Sequence, residues 1–411
     1  MKRIALPLGF AALLVSFSAS AIKVPTGTDD INLNINVLLQ ARYEGTFEQS
    51  VERSFDSDFF LRRARLQASG TAYKTISFLI QFDNSNLGKR GSPTSVAAAS
   101  NPSFVQDLVI GWTPIEDLTI EGGLLLIPNS RILGLSASGG QVQVEAPLDI
   151  IFHNLDRGNR QVAVEARGFL LGHRIGYRGG VFEGFHSTAV TPPPGATTPI
   201  NPGGKPLLAA HVRFNLIGDE TGYAYNAMYM DGKPRASVGG GFQYQPRAAC
   251  PNTLTNCSLV GAGTPAATAT VNDFWFYGGD FFVDLPVPGP YDMEFSADGG
   301  VFRWDYGDNY NRTGVAYAGS LNFRLGQVAA YVSAYKYGSG AGFPHTADRK
   351  KIAGGLVYFV RGHASKITLE LNSITPGTAG TPASVAPGSS NSGLNGANST
   401  TALWLQGQAA F

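Results

Sequence analysis

The sequence has little charge and few cysteines. Charged residues make up 15% of its 411 positions, well below the roughly 25% of an ordinary soluble domain. The 31 Lys and Arg nearly balance the 30 Asp and Glu, so there is no basic field for nucleic acid. Two cysteines cannot build a disulfide scaffold. The composition therefore excludes nucleic-acid-binding and disulfide-rich classes, and an aromatic content of 11% argues against disorder.

Motifs of catalytic and metal sites are also missing from the sequence. The six histidines are scattered and form neither an H-E-x-x-H motif nor a pair at helical spacing. Ser136 departs from the G-x-S-x-G pattern, and the glycine-rich run 338–342 lacks the lysine of a phosphate-binding loop. We therefore predict that the chain is not an enzyme and uses no cofactor and no metal.

Residues 1–21 have the pattern of a secretory signal peptide. Two basic residues precede an apolar run over 4–17, and an A-x-A cleavage site ends at Ala21. After residue 21 no apolar run reaches the ~20 residues that a membrane-spanning helix needs. We expect cleavage after Ala21, and a single mature domain over 22–411 that is either soluble or a β-barrel.

Beyond residue 31, segments of about ten residues alternate between apolar and polar positions. In 315–325 the apolar residues lie opposite Asn322 and Arg324, and 207–216 and 403–411 alternate in the same way. Tilted segments of 9–11 residues can cross a membrane. Several apolar faces end in aromatics, as the interfacial girdles of membrane barrels do: Phe104, Trp112, Tyr291 and Trp304. These features favour a transmembrane barrel over a soluble sandwich.

Short and long connections separate the candidate strands. Short ones include 73–75 and 325–327. The long ones are rich in Pro, Gly and Ser: 84–103, 128–158, 184–205, 246–270, 338–349 and 374–400. This division is typical of outer-membrane barrels. Seventeen candidate strands conflict with the even number that bacterial barrels have, so we expect one of 223–230 and 235–245 not to span. We predict an all-β antiparallel barrel of 16 strands, with 18 as the alternative, and a water-filled channel.

One segment breaks the alternation. Phe295 belongs to an apolar set that changes parity after Gly299 and Gly300, so that Phe302 and Trp304 come next. A glycine pair permits a β-bulge. The sequence therefore predicts a one-residue shift here, which would keep both apolar sets facing lipid.

The hairpin over 58–83 carries a family resemblance. It reads Asp58-Phe59-Phe60-Leu61-Arg62-Arg63-Ala64-Arg65-Leu66, followed by Ser69-Gly70-Thr71-Ala72-Tyr73-Lys74. A phenylalanine, paired arginines and a G-T-x-Y-K turn make it closely resemble the first long hairpin of the phosphate-selective porin O and P family. Segments 239–245 and 280–286 are similar to later parts of that family. The resemblance implies a 16-stranded trimeric porin whose third extracellular loop, here 128–158, folds inward as a constriction.

The resemblance also suggests where anions would be bound. Members of the family carry a lysine and an arginine in the constricting loop, whereas this loop offers Arg131, and Glu145 stands where an arginine would be expected. We predict anion contacts at Arg63 and Arg65, which match the hairpin motif, and at Arg131.

Alternation adds further charged residues to the inner wall. We predict more anion contacts at Arg167, Arg174, Arg178 and Arg213, and an acidic wall at Asp280, Asp292, Glu294 and Asp298. Opposed charges across a low-dielectric channel would set up a transverse field. The alternative is that these groups pair with their neighbours.

The sequence also predicts a disulfide and an overall function. Cys250 and Cys257 lie in a long loop of an exported chain, so we expect a disulfide. The sequence predicts a passive-diffusion porin in the bacterial outer membrane, surrounded by lipid, that admits small hydrophilic solutes such as phosphate. Two alternatives stay open: a barrel that sheathes a partner such as a redox protein, and a surface enzyme or adhesin carried by the loops.

Overall fold

The structure is a computed structural model that describes part of the chain in detail. The described residues are 22–28, 30–48, 55–89, 104–135, 140–146, 159–184, 205–220, 222, 224–249, 272–307, 313–339, 348–375 and 399–411. The predicted signal peptide and the predicted Cys250–Cys257 disulfide lie outside them. No helix in this part of the chain is long and apolar enough to cross a membrane.

The described residues form 17 β-strands. They are β1 Ile22–Val24, β2 Ile31–Glu48, β3 Phe55–Ala72, β4 Ile76–Leu87, β5 Phe104–Ile115, β6 Leu118–Leu126, β7 Arg160–Leu170, β8 Ile175–Phe182, β9 Leu207–Ile217, β10 Arg235–Ala249, β11 Asn272–Val287, β12 Met293–Asp305, β13 Gly314–Leu325, β14 Val328–Ser339, β15 Arg349–Arg361, β16 Ser365–Thr375 and β17 Thr400–Ala410. Each strand from β2 to β17 is antiparallel to the next.

Pairing of β17 with β2 closes these sixteen strands into a barrel. Phe411 continues the closure, because it exchanges two backbone hydrogen bonds with Val37, of 2.6 and 3.0 Å. The short β1 then pairs with β2 next to that point, with Ile22 opposite Ile35. The predicted antiparallel barrel of 16 strands is confirmed.

Apolar residues cover the outside of the barrel and polar residues line much of the inside. In β9, Leu208 is 44% exposed and Phe214 49%, whereas His211 and Arg213 are only 4% and 2% exposed. The predicted faces of β13 and β17 are confirmed in the same way. This arrangement reverses that of a soluble protein and is the pattern of a transmembrane barrel.

The predicted bulge in β12 is wrong. Its register with β13 is continuous from Met293 to Trp304, so Phe302 and Trp304 face the interior, where both are fully buried. They pack against Phe276, with ring centroids 5.9 and 4.6 Å away. Ile132 of the loop 128–158 belongs to the same buried cluster. The inner wall is apolar here because loop side chains cover it.

The structure also decides between the two rival spans. Residues 235–245 lie in β10, whereas 223–230 belong to the connection from β9 to β10 and form no strand of the wall. We call the described residues of this connection, 218–220, 222 and 224–234, the T4 segment, and the described residues 127–135 and 140–146 of the third extracellular loop the L3 segment. T4 starts from the end of the barrel that has the short turns, and L3 starts from the opposite end. Both segments enter the interior.

Candidate pore constriction

The L3 segment lies directly on the inner wall at β10 and β11. A Cβ atom on the inward-facing Gly241 would lie 1.8 Å from the carbonyl oxygen of Asn129, so only glycine leaves room for the loop backbone. The backbone N–H of Arg131 donates to Asp280 Oδ2 at 2.9 Å. These two contacts fix the beginning of L3 and place the Arg131 side chain inside the barrel.

Arg131 is joined to the T4 segment through Glu220. The Arg131 Nη2 lies 2.6 Å from Glu220 Oε1 and also donates to the carbonyl oxygen of Asn226 at 2.5 Å. The guanidinium carbon lies 3.4 Å from the centroid of the Phe282 ring. Burial alone would raise the pKa of Glu220, but Arg131 outweighs it and lowers that pKa below its ordinary value. Tyr229 adds a 2.7 Å hydrogen bond to the same carboxylate.

Backbone contacts connect L3 and T4 along their length. Tyr225 N donates to Gly134 O at 2.9 Å, and Ala227 N donates to Gly140 O at 2.5 Å. An isolated parallel bridge pairs Leu135 with Tyr225. Loop and turn thus form one body inside the barrel.

The far part of T4 is held to the wall. Tyr229 N donates to Asp284 at 2.8 Å, and Met230 N donates to Glu294 at 2.9 Å. His363, in the turn between β15 and β16, donates from Nε2 to the carbonyl of Met228 at 2.7 Å. Burial, together with the neighbouring Lys366, lowers the pKa of His363 to about 3. Its ring is therefore neutral, and the Nε2–H is available as a donor.

The second half of L3 carries Glu145 to the wall at β2 and β3. Its Oε1 accepts from Nη2 of both Arg62 and Arg63 at 2.5 Å, and its Oε2 accepts from Arg42 Nη2 at 2.8 Å and Arg62 Nε at 2.9 Å. Burial would raise the pKa of Glu145, but Arg62, Arg63 and Arg42 outweigh it and hold that pKa well below its usual range. The carboxylate is therefore ionised and shared by three cations.

A bulge in β3 brings both Arg62 and Arg63 to the inside. Gln40 pairs with Arg63 and the next residue of β2, Ala41, pairs with Leu61, so Arg62 is the extra residue. Strict alternation predicts only Arg63 in the lumen and leaves Arg62 on the outside. The sequence does indicate this bulge, because the apolar residues Leu61 and Ala64 flank the two arginines. Both can face outward only if one residue is inserted between them.

The remaining predicted anion contacts are paired with carboxylates or backbone oxygens. Three arginines form ion pairs of 2.9, 2.7 and 2.7 Å: Arg65 with Asp83, Arg167 with Glu121, and Arg178 with Glu165. Arg213 Nη2 donates to the carbonyl of Glu220, and its Nε lies 3.7 Å from the Glu220 carboxylate. The structure brings Arg131 and Arg213 together at Glu220 and keeps Arg63 with Glu145.

Two predicted wall residues need correcting. Arg174 lies in the exposed turn between β7 and β8, where it donates to the carbonyl of Leu216 at 3.2 Å. Asp292 lies just before β12 with its side chain 71% exposed, paired with Arg324 at 2.6 Å. Each position immediately precedes the first residue of a strand, β8 or β12, so the side-chain period of the strand does not yet apply there.

The acidic wall begins two strands from Arg213 and not opposite it. In β10, Gly239 pairs with Asp280 on one side and with Arg213 on the other. Because Gly239 has no side chain, His211 Nε2 reaches Asp280 Oδ2 across it at 3.0 Å. The residues that do lie opposite the acidic wall are those on β2 and β3, eight strands from β10 and β11 in a ring of sixteen.

Among the described residues, no group of three or more His, Cys, Asp or Glu side chains is arranged to hold a metal ion. The titratable groups inside this part of the barrel form ion pairs, some within the wall and some that join L3 or T4 to it or to each other. What such an arrangement can do is shape and charge a narrow passage.

This chain is similar to known proteins in its fold. Searches of family models and of curated proteins find no match to this chain. Among solved structures, an anion-selective porin from Comamonas acidovorans is 10% identical, with 93% of this chain and 100% of that chain covered and a TM-score of 0.54. The channel DcaP of Acinetobacter baumannii is 12% identical, with 93% and 97% covered and a TM-score of 0.53. OmpT of Vibrio cholerae in its trimer form is 11% identical, with 93% and 100% covered and a TM-score of 0.50.

At these identities the likeness shows a porin-like barrel. It does not single out the phosphate-selective porins within that fold.

Proposed function

We propose that this protein is an outer-membrane porin, a passive-diffusion channel for small hydrophilic solutes. The observation that supports this best is the closed 16-stranded barrel with an apolar outside and an interior narrowed by L3. An inward-folded loop that sets the width of the passage is what a diffusion channel of this size needs. The proposal includes export by a cleaved signal peptide over 1–21, a single barrel domain over 22–411, and a lipid-surrounded homotrimer.

The proposed channel has a modest preference for anions, phosphate among them. Three arginines on β2 and β3 share the single carboxylate of Glu145, which leaves positive charge in excess there. The acidic residues of β11 and β12 lie on the opposite wall. A field between these walls would draw the anionic group of a solute toward the arginines. The preference is modest because Arg65, Arg167 and Arg178 already have carboxylate partners.

Occupation of the interior by L3 and T4 favours a channel over a sheath for a partner protein. Glu220 and Ala227 of T4 are buried inside the barrel, in the space that a housed partner would need. The neighbours in fold include one described as an anion-selective porin and one described in a trimer form, which supports both parts of the proposal.

Planar-bilayer recording of the purified protein tests the proposed function. We expect discrete conductance steps, and a reversal potential displaced toward the anion in a KCl gradient. The variant Glu220→Gln, which loosens T4, should be recorded in parallel. Absence of steps from both proteins, each shown to be a heat-resistant folded barrel, would overturn the proposal.

A further inference from the structure

Glu145 occupies a place inside the barrel that has the chemistry of an oxyanion site. We propose that Arg42, Arg62 and Arg63 form a binding site for a carboxylate or phosphate group, and that Glu145 is a tethered counter-anion which such a solute must displace. This inference rests on the proposed channel function and deepens it, because it names the residue that sets anion selectivity.

The donor geometry around Glu145 fits a planar or tetrahedral oxyanion. Each carboxylate oxygen accepts two N–H groups, from Arg62 and Arg63 on one oxygen and from Arg42 and Arg62 on the other. Arg62 uses Nε and Nη2 together, which is the fork geometry in which guanidinium binds carboxylate and phosphate. The site presents four N–H donors to two acceptor oxygens, whereas chloride is a single acceptor atom. The site therefore suits carboxylates and phosphates.

Two of the arginines are held in place independently of Glu145. Arg42 donates from Nε and Nη2 to Gln406 at 3.0 and 2.7 Å, and its guanidinium lies 5.0 Å from the centroid of the Trp404 ring. Arg63 donates from Nη1 to Gln40 at 2.7 Å, and Gln40 is in turn bonded to Gln408 at 2.7 Å. The site should therefore survive replacement of Glu145, with little reorganisation before an anion binds.

The backbone that carries Glu145 is attached to a different part of the wall. Val144 N donates to Glu370 at 3.2 Å, and Gln143 donates from Nε2 to Tyr335 at 2.5 Å. Lys351 donates to the carbonyl oxygen of Glu145 at 3.3 Å. L3 is thus fixed to β14, β15 and β16 by contacts that do not involve the Glu145 carboxylate.

The local charges are unequal even with Glu145 present. Among the described residues, Arg42, Arg62 and Arg63 form ion pairs with Glu145, and Arg42 also with Glu44, which is itself paired with Lys89 at 2.7 Å. When Glu145 leaves or is neutralised, the buried guanidinium groups lose their counter-charge. A buried charge without a partner carries a large free-energy penalty. A solute oxyanion supplies the replacement charge.

Glu145→Gln in the full-length protein tests the inference, with inorganic phosphate and acetate as probes against a chloride current. Loss of the tethered competitor removes at least one charge-assisted hydrogen bond that a solute would otherwise have to displace. We expect phosphate and acetate to block the chloride current of the variant at about tenfold lower concentration than in the wild type.

Glu44→Gln is the matched control. It removes the same charge from the same neighbourhood but leaves Glu145 on the arginines. We expect a shift of its reversal potential toward the anion without the new block. Equal block in both variants would mean that general electrostatics suffice, and would overturn the inference.

Two further measurements keep the test decisive. Glu145→Asp keeps the charge but shortens the side chain by one methylene, and it replaces Glu145→Gln if that variant folds poorly. We expect phosphate and acetate to block it at concentrations between those that block the wild type and Glu145→Gln. Calorimetric titration of the detergent-solubilised proteins with phosphate reports binding without conduction. Binding by Glu145→Gln without any conductance would sink the channel proposal alone. Conductance without tighter phosphate block or binding in either variant would sink this inference alone.

Discussion

Arg131 and Glu220 form an ion pair 2.6 Å long whose side chains are 0% and 1% exposed. The pair connects a loop that enters the barrel from one end with a turn that enters from the other. A buried pair of this kind contributes little net stability, but removal of one partner costs about 3–5 kcal/mol because the other charge stays dehydrated. Loss of one partner of this pair should therefore weaken the attachment of L3 to T4 more than loss of any single neutral contact between them.

Glu220→Gln should release T4 from L3. The substitution leaves the buried Arg131 without its counter-charge, so we expect a penalty of about 3–5 kcal/mol on the closed arrangement. The expected results are a larger single-channel conductance and faster proteolysis within T4 from the periplasmic side. Planar-bilayer recording and timed digestion of reconstituted protein measure the two effects.

Asp231→Asn is the control within the same segment. Asp231 pairs with Arg235 at 2.7 Å, but its side chain is 40% exposed, and exposed pairs are worth about 0–1 kcal/mol. Conductance and proteolysis should stay close to those of the wild type. If both variants open the channel equally, the buried pair is not what closes it.

Conductance should also respond to acid in a defined range. The pKa of Glu220 is lower in the folded protein than its ordinary value of 4.5. A carboxylate of this kind stabilises the fold fully above its unfolded pKa, and the stabilisation is lost as pH falls through the lowered folded pKa. We expect constant conductance from pH 8 to about 5 and a rise only below 4.5. Glu220→Gln should lack this rise, and a transition near neutral pH in the wild type would contradict the assignment.

The period of two in the sequence predicts the fold well where one face of a strand meets lipid and the other meets polar groups. β9, β13 and β17 follow this rule, since Leu208, Leu321 and Leu403 all face outward. The rule fails in β12, where Trp304 is apolar but faces inward. Hydrophobicity alone cannot distinguish burial against an inward loop from exposure to lipid.

The candidate site was harder to predict because it depends on contacts between distant parts of the chain. Arg131 and Arg63 lie inside the barrel, but their partners Glu220 and Glu145 lie 89 and 82 residues away in sequence. The sequence leaves 223–230 as a possible strand of the wall, but Tyr225 and Ala227 pack along L3. Periodicity cannot distinguish a strand of the wall from a segment laid against a loop.

Adjacent glycines in β10 provide a test of where L3 lies. A Cβ on the inward Gly241 would lie 1.8 Å from Asn129 O, whereas a Cβ on the outward Gly240 would lie 3.4 Å from Gly278 O. We expect Gly241→Ala to displace L3 and destabilise the barrel by about 1–3 kcal/mol. Gly240→Ala should be neutral or stabilising by about 0.5–1 kcal/mol, because alanine loses less backbone entropy in a strand. Thermal unfolding in detergent gives both values, and similar losses in both variants would contradict the placement.

A charged residue on the outside of β13 should be tolerated better near the membrane interface than at the bilayer midplane. Leu321 lies near the middle of this strand and Leu325 at its end, and both are outward and about half exposed. In a transmembrane barrel an arginine at the bilayer midplane costs about 2–4 kcal/mol, falling to about 0–1 near the interface. We therefore expect Leu321→Arg to reduce the yield and thermal stability of the folded barrel in lipid, and Leu325→Arg to have little effect. In detergent micelles, which deform around the barrel, the difference should shrink. Equal tolerance of both substitutions in lipid bilayers would mean that this face of β13 is not in contact with acyl chains.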